Sequence, residues 1–333
     1  MLRTTKINIQ AFRILLLYLF IFSMMLVMPG CGFQSKIRLF RGAFDAAGEG
    51  INKDLEKHVP AEVTSVLNVH YNESDCDAYL DVYYPLNDTG WKNRPVIVWI
   101  HGGGWIAGSK EQIANYAKIV AHRGYTVIAV EYSLALEMKH PTPVKQVNTA
   151  LAFLLKHAAK YHVNAKQIVI AGDSGGAQIA AQLGIVLSDP AYAKRLGVTP
   201  SVSRSAISGM ILHCGIYNLS KAEKEKEGIM LRMMMRAYSG QKNFKRNSYF
   251  GLGSVVHHIP SNYPPTFISV GNKDILKEHS YELAKVLINK GIPADTLFFE
   301  TADVSLNHEY QFNLDEESGK VALESTVTFL NQL

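Results

Sequence analysis

Two stretches decide the reading: Pro95-Val96-Ile97-Val98-Trp99-Ile100-His101-Gly102-Gly103-Gly104-Trp105 and Gln167-Ile168-Val169-Ile170-Ala171-Gly172-Asp173-Ser174-Gly175-Gly176. Each opens as a short apolar run and closes in a glycine-rich turn. Short runs without polar alternation read as strands buried on both faces. Gln112–Arg123 follows the first, with Ile113, Tyr116, Ala117 and Val120 on one helical face and Gly124 as the stop. Tyr125–Tyr132 reads as the next strand. Val144–Tyr161 places Val144, Val147, Leu151 and Leu154 at helical spacing, and Gln178–Leu187 follows the second glycine turn as a helix.

The rhythm continues to the C-terminus. Ala206–Cys214, Thr266–Val270 and Asp295–Phe299 are strand-like, Ser280–Lys290 is helical, and Gly319–Asn331 is a last helix. Upstream, Thr64–Tyr71 and Tyr79–Tyr84 read as strands, after a charged lead-in at 32–60 with a helix near Ala43–Lys57. Alternating strands and helices predict an α/β fold, a mostly parallel central sheet with helices on both faces. Residues 217–257 break the alternation: Lys221–Glu227 has no apolar face and Gly228–Met235 is rich in methionine. An insertion near the loop end of such a sheet reads as part of a small helical cap.

The chain has 333 residues, with 47% apolar and 19% charged, enough for a large core and too apolar for disorder. Its formal charge is +5. Arg3, Lys6 and Arg13 supply three of those charges and residues 1–30 hold no acid, which leaves two for the rest of the chain. That balance gives no reason to expect nucleic acid as a partner.

The N-terminus has the form of a targeting segment. Basic residues precede the uncharged run Ile14 to Met28, fifteen residues, short for a span of about 20. The run ends at Pro29-Gly30-Cys31. This resembles a bacterial lipoprotein signal, so residues 1–31 are expected to direct export to the cell envelope, with a lipid on Cys31 tethering the chain to a membrane. An uncleaved anchor and plain secretion are the alternatives. Of the other cysteines, Cys214 closes an apolar run and reads as a buried small hydrophobe, while Cys76 lies among polar residues. Export would permit them to pair. No cysteine or histidine spacing suggests a metal.

The glycine turns carry the chemistry. In Gly172-Asp173-Ser174-Gly175-Gly176 the serine sits at a sharp strand-to-helix turn, with small residues two before and two after it. A serine hydroxyl is a poor nucleophile until a base takes its proton. Gly102 and Gly103 can offer backbone N–H groups to a developing oxyanion, and Gly175 can add another. His101 reads as a ring that holds loop backbone. The base and acid should follow in the order Asp, then His. His308 lies past the last strand and Asp274 directly after Thr266–Val270. His279, His257 and His258 are weaker bases by position, as Asp303 and Glu300 are weaker acids. Gly-Asp-Ser-Gly-Gly also occurs in double-barrel proteases, but the surrounding α/β pattern excludes that fold. Met230, Met233 and Met234 would share a helix face suited to an adaptable acyl pocket.

On these residues the chain is similar to the hormone-sensitive-lipase-like family of bacterial α/β-hydrolase esterases and to the related acetyl- and feruloyl-esterase-type enzymes. The likeness rests on Leu80-Asp81-Val82-Tyr83, the HGGGW loop, Glu131-Tyr132-Ser133-Leu134-Ala135, His140-Pro141 with Pro143, Ala150-Leu151, the serine turn, and the Asp274 and His308 segments. It implies an α/β-hydrolase fold over 32–333 with cap elements at about 33–60 and 217–257. It also implies ester hydrolysis through an acyl-enzyme without a cofactor, on a small-molecule ester. Asp173 resembles the family's aspartate that orients the oxyanion loop. Ser133, Leu136 and Gly175 stand where the family often has Arg, Pro and Ala, which leaves substrate preference open. An amidase, aryl-formamidase or peptidase on the same scaffold is the alternative chemistry, and a non-catalytic binding protein the alternative class.

Overall fold

The computed structural model describes residues 32–87, 90–221, 228–300 and 303–333. Residues 1–31, where a targeting segment with a lipid on Cys31 is expected, and residues 222–227 lie outside them.

Eight strands form one sheet: β1 (Val63–His70), β2 (Tyr79–Pro85), β3 (Val96–Ile100), β4 (Thr126–Val130), β5 (Ile168–Asp173), β6 (Ile207–His213), β7 (Thr266–Ser269) and β8 (Ala294–Leu297). Their order is β1-β2-β4-β3-β5-β6-β7-β8. β1 and β2 run antiparallel to their neighbours, and all pairs from β4 to β8 are parallel. β3, β4 and β5 are buried at every position, which is why their sequences lack polar alternation. Period-2 geometry still sorts the side chains. Val96, Val98, Ile100, Ile128 and Ile170 join one core layer, while Ile97, Trp99, Val127, Val169 and Ala171 join the other.

Nine α-helices cover the sheet: α1 (Phe33–Asp54), α2 (Ala114–His122), α3 (Thr142–Lys156), α4 (Ser174–Ser188), α5 (Pro190–Leu196), α6 (Gly228–Ser239), α7 (Ser248–Gly251), α8 (Lys277–Asn289) and α9 (Glu317–Asn331), among the described residues. α2 and α9 pack on the Trp99 layer; α3, α4 and α8 pack on the opposite one. No helix among the described residues is long and apolar enough to cross a membrane.

Several boundaries differ from the sequence expectation, with α3 ending at Lys156 instead of Tyr161 and α8 starting at Lys277 instead of Ser280, and three have a local cause. α1 starts at Phe33 instead of near Ala43, because Phe33, Ile37, Phe40 and Phe44 form an apolar stripe that the intervening charges obscure. α4 starts at Ser174 itself instead of Gln178, since the turn runs straight into the helix. β8 stops at Leu297 because Phe299 takes a left-handed φ of 51°. α5, which the sequence reading left unassigned, carries the usual punctuation: Asp189 accepts hydrogen bonds from Ala191 and Tyr192 N–H at 2.8 and 3.1 Å, and Gly197 ends it at φ 67°.

Candidate active site

The parallel strands β3, β5, β6 and β7 end at the same edge of the sheet, and four loops meet there. Ser174 follows β5 directly with φ 49°, a strained value for a residue with a side chain. The turn needs glycine beside it for a stated reason: a Cβ on Gly176 would collide with the carbonyl oxygens of Ile100 and His101. The nucleophile turn and the end of β3 are therefore in backbone contact. Gly175 is less crowded. A Cβ there would lie 3.1 Å from the Trp105 nitrogen and 3.2 Å from the Gly104 backbone, tight yet short of a collision.

The structure brings Ser174, His308 and Asp274 together. Ser174 Oγ lies 3.0 Å from His308 Nε2, and His308 Nδ1 lies 2.8 Å from Asp274 Oδ2. The other Asp274 oxygen accepts the Leu276 N–H at 2.8 Å, so the buried carboxylate is fixed at both ends. Burial works against charge on the His308 ring, but the Asp274 carboxylate and, after it, the Cys214 sulfur together outweigh it and hold the imidazole pKa well above 6.5. The other candidates fall elsewhere. Glu300 and Asp303 line a separate surface depression with Asn272 and Lys273. His279 is buried on α8, where its Nδ1 accepts the Asn218 N–H at 3.3 Å. His257 lies in the short helical turn Val255–His257, with His258 directly after it.

The HGGG loop is held from both sides. His101 is buried, donates through Nδ1 to the Gly102 carbonyl at 2.9 Å and lies 3.3 Å from Glu131 Oε1 through Nε2. Tyr132 stacks on that ring at 4.2 Å, and its hydroxyl donates to the carbonyls of His101 and Gly102 at 2.9 and 3.2 Å. These contacts occupy the loop's carbonyls. Among the described residues the Gly102 and Gly103 N–H groups have no backbone acceptor. Gly175, in the first turn of α4, has no acceptor within its own helix. Asp173 lies beneath the loop. Trp99 Nε1 donates to it at 2.8 Å, and its second oxygen fills the space a Cβ on Gly102 would need. Burial first, and then the charge of Glu309, hold the Asp173 carboxyl well above the usual carboxylate range.

A pocket of about 160 Å³ opens over Ser174. One wall is α1, through Phe44, Ala47, Gly48 and Ile51; another is α6, through Met230, Leu231 and Met234; Ile113, Ile275, Leu276 and Phe312 complete the apolar lining. Met233 is absent from it. At about 100° per residue, Met230, Met234 and Leu231 span one arc and Met233 falls outside that arc, though all four pack on the same core layer. α1 is tied down by Arg41, which donates to the carbonyls of Ile106 and Ala135 at 2.6 Å each, and by Asp45, which accepts the Gly108 N–H at 2.9 Å. Cys76 is exposed and Cys214 buried, and both are free thiols. The ligand atoms of Cys214, Asp274 and His308 lie within 4.8 Å of one another, but the last two already bond to each other.

Sequence reasoning missed Glu131, Tyr132, Arg41, Asp45 and Glu309. Glu131 and Tyr132 lay inside a quoted motif with no role attached, and Glu309 beside His308. Arg41 and Asp45 had no motif at all; their partners are 65 and 63 residues away.

Sheet order, elbow and loop placement define an α/β hydrolase. A sequence profile of the BD-FAE family matches residues 80–287, and the chain belongs to that family. Its relatives include an esterase of Gibberella moniliformis, 26% identical over 261 residues covering 74% of this chain and 77% of that protein. They also include an acetyl esterase of Salmonella schwarzengrund, 24% identical over 63% of this chain and 64% of that one. The chain thus spans less than two thirds of some relatives. Among solved structures, esterase B of Lactobacillus rhamnosis superposes with a TM-score of 0.76 at 21% identity, over 89% of this chain and 94% of that one. An esterase of the archaeon Pyrobaculum calidifontis gives 0.71 at 20% identity, over 93% and 95%. These two share the fold.

Proposed function

We propose that the protein hydrolyses small carboxylic esters through an acyl-enzyme. The observation that carries this is the continuous chain from Ser174 Oγ to His308 at 3.0 Å and on to Asp274 at 2.8 Å, at the floor of an apolar pocket. Ser174 Oγ attacks the ester carbonyl while His308 Nε2 takes its proton, and Asp274 stabilises the imidazolium and fixes its tautomer. Negative charge gathers on the carbonyl oxygen, toward the free N–H groups of Gly102, Gly103 and Gly175. His308 then gives the proton to the departing alkoxide, leaving an ester on Ser174. Water, deprotonated by His308, attacks that ester and releases the acid. Every proton in the cycle passes through one imidazole, so the reading calls for no cofactor. The activities of the esterase relatives agree with this class. A pocket of about 160 Å³ is the size of a cavity that holds one benzene, and suits a short acyl group.

The test is kinetic. The full-length protein in detergent should hydrolyse aryl acetate and butyrate faster than longer aryl esters and much faster than matched aryl amides. Ser174→Ala should lose at least about 10⁴ in kcat with unchanged thermal melting. Near-normal turnover by the folded variant rejects the mechanism; faster amide hydrolysis moves the enzyme to the amidases.

The same reading includes export and a membrane tether at Cys31, supported by the basic segment, the short apolar run and Gly30-Cys31. Mass spectrometry of the protein from a native host should find a lipid-modified Cys31 as the first residue. A chain that begins elsewhere, or an unmodified thiol, rejects the tether.

A further inference from the structure

Glu309 follows the candidate base, and its backbone is left-handed at φ 60° and ψ 27°. Its side chain lines the pocket above Ser174. Oε1 lies 3.8 Å from His308 Nε2, and a Cβ on Gly102 would stand 3.1 Å from the same oxygen. The carboxylate therefore sits between the base and the oxyanion loop. It is only 22% exposed, and among the described residues no lysine or arginine lines the pocket. A negative charge in that place acts in two directions. It favours the imidazolium, and it opposes the oxyanion forming at Gly102 and Gly103. With a neutral ester the repulsion of the oxyanion is offset only by the stabilised imidazolium. An ammonium group on the substrate would neutralise the carboxylate, and the faces of Phe44 and Phe312, which line the same pocket, are suited to the rest of such a cation.

We propose that Glu309 is a specificity-determining residue that selects esters carrying an ammonium group near the carbonyl and rejects anionic ones. This rests on the esterase reading above.

The cleanest probe is a pair of acetate esters of one shape, 2-(trimethylammonio)ethyl and 3,3-dimethylbutyl, which differ by N⁺ for carbon. An anionic ester, the 2-carboxyethyl acetate, completes the set. With the full-length protein, kcat/KM should favour the ammonium ester by about tenfold, the scale of a half-desolvated charge pair. Glu309→Gln should bring that ratio close to one, chiefly through KM of the ammonium ester, and should raise turnover of the anionic ester. Glu309→Asp should restore part of the preference. An unchanged ratio in Glu309→Gln overturns the proposal. So does an equal loss on all three esters, which would mean that the carboxylate serves the imidazolium instead of the substrate. A binding measurement separates this outcome from failure of the esterase reading. Phenyltrimethylammonium should bind the Ser174→Ala protein by calorimetry and lose that binding when Glu309→Gln is added. Hydrolysis of phenyl acetate without cation binding leaves the esterase reading standing and removes this one; cation binding without any hydrolysis removes the esterase reading and the selection among esters with it.

Discussion

The serine turn and the cap above it are built in opposite ways. The turn is backbone packed on backbone: Gly176 lies against the carbonyls at the end of β3, and β3 and β5 are buried throughout. The cap is side chain on backbone: Arg41 and Asp45 reach from α1 to three loop groups, and α6 presents two methionines and a leucine. A triad must be held within a fraction of an ångström, which only the sheet can do. A substrate wall gains from give, which unbranched thioethers supply. If this division is right, changes below Ser174 should act on kcat or on folding, and changes in the cap on KM and on chain-length preference.

The largest effect should come from the acid. Asp274→Asn should lower kcat by about 10⁴, because the imidazole turns to the wrong tautomer and its cation loses its partner. Glu300→Gln and Asp303→Asn should stay within about threefold, as expected of surface changes remote from the reacting atoms. The pH profile gives a second reading. Ester cleavage needs a neutral imidazole, so activity should be lost as pH falls through a His308 pKa displaced upward from 6.5. Without Asp274 the acid limb of kcat/KM should move to lower pH. A limb that stays in place would show that another group sets it.

Next comes the turn. Gly176→Ala should cost about 3 kcal/mol or more, because its Cβ meets fixed backbone oxygens. Gly175→Ala, whose Cβ would lie 3.1 Å from the Trp105 nitrogen, should fold and keep kcat within about tenfold. Thermal melting and kcat of the two variants, side by side, check the distinction. Equal tolerance at both positions would contradict the backbone packing described for the turn.

In the cap, Arg41→Ala removes the hydrogen bonds to the Ile106 and Ala135 carbonyls and the ion pair with Glu137, together worth about 2 kcal/mol in a half-exposed setting. Melting should fall by a few degrees and KM should rise about fivefold with little change in kcat. A kcat loss as large as the KM change would tie α1 to the chemistry itself. The smallest effect belongs to Met230→Leu and Met234→Leu, near-isosteric changes. Each should shift relative kcat/KM across acyl lengths by about threefold or less while leaving melting within a degree or two. A larger shift would give the pocket a rigidity that methionine does not supply.

Much of this was legible in the sequence, for physical reasons that also explain the gaps. Strands buried on both faces must be apolar throughout, so β3 to β5 could be read from their residues, and with them the alternation that yields a parallel sheet. Glycine marks the places where backbone meets backbone, so the serine turn and oxyanion loop could be found, and the rule of chain order led to Asp274 and His308. The cap was harder. Its helix α1 mixes charge with its apolar stripe, so the first ten residues of the helix looked like lead-in. Arg41 and Asp45 act across more than 60 positions on carbonyl and amide groups, which carry no side-chain code. Glu309 stood in plain view beside His308, but only its left-handed backbone and its nearness to Gly102 give it a direction.

The helix α1 has one more consequence. It supplies a full wall of the pocket, yet it lies before residue 80, outside the segment that matches the family. The matched segment holds Ser174, Asp274 and the α6 wall, and the pocket is completed from both sides of it, by α1 before and by His308 after. A new preference can arise by exchanging one peripheral helix and its polar ties through Arg41, Asp45 and Asn52, with no change at the serine, the histidine or the sheet. Kinship measured across residues 80–287 thus takes in the serine, the acid and the α6 wall, and leaves out the base His308 and the α1 wall.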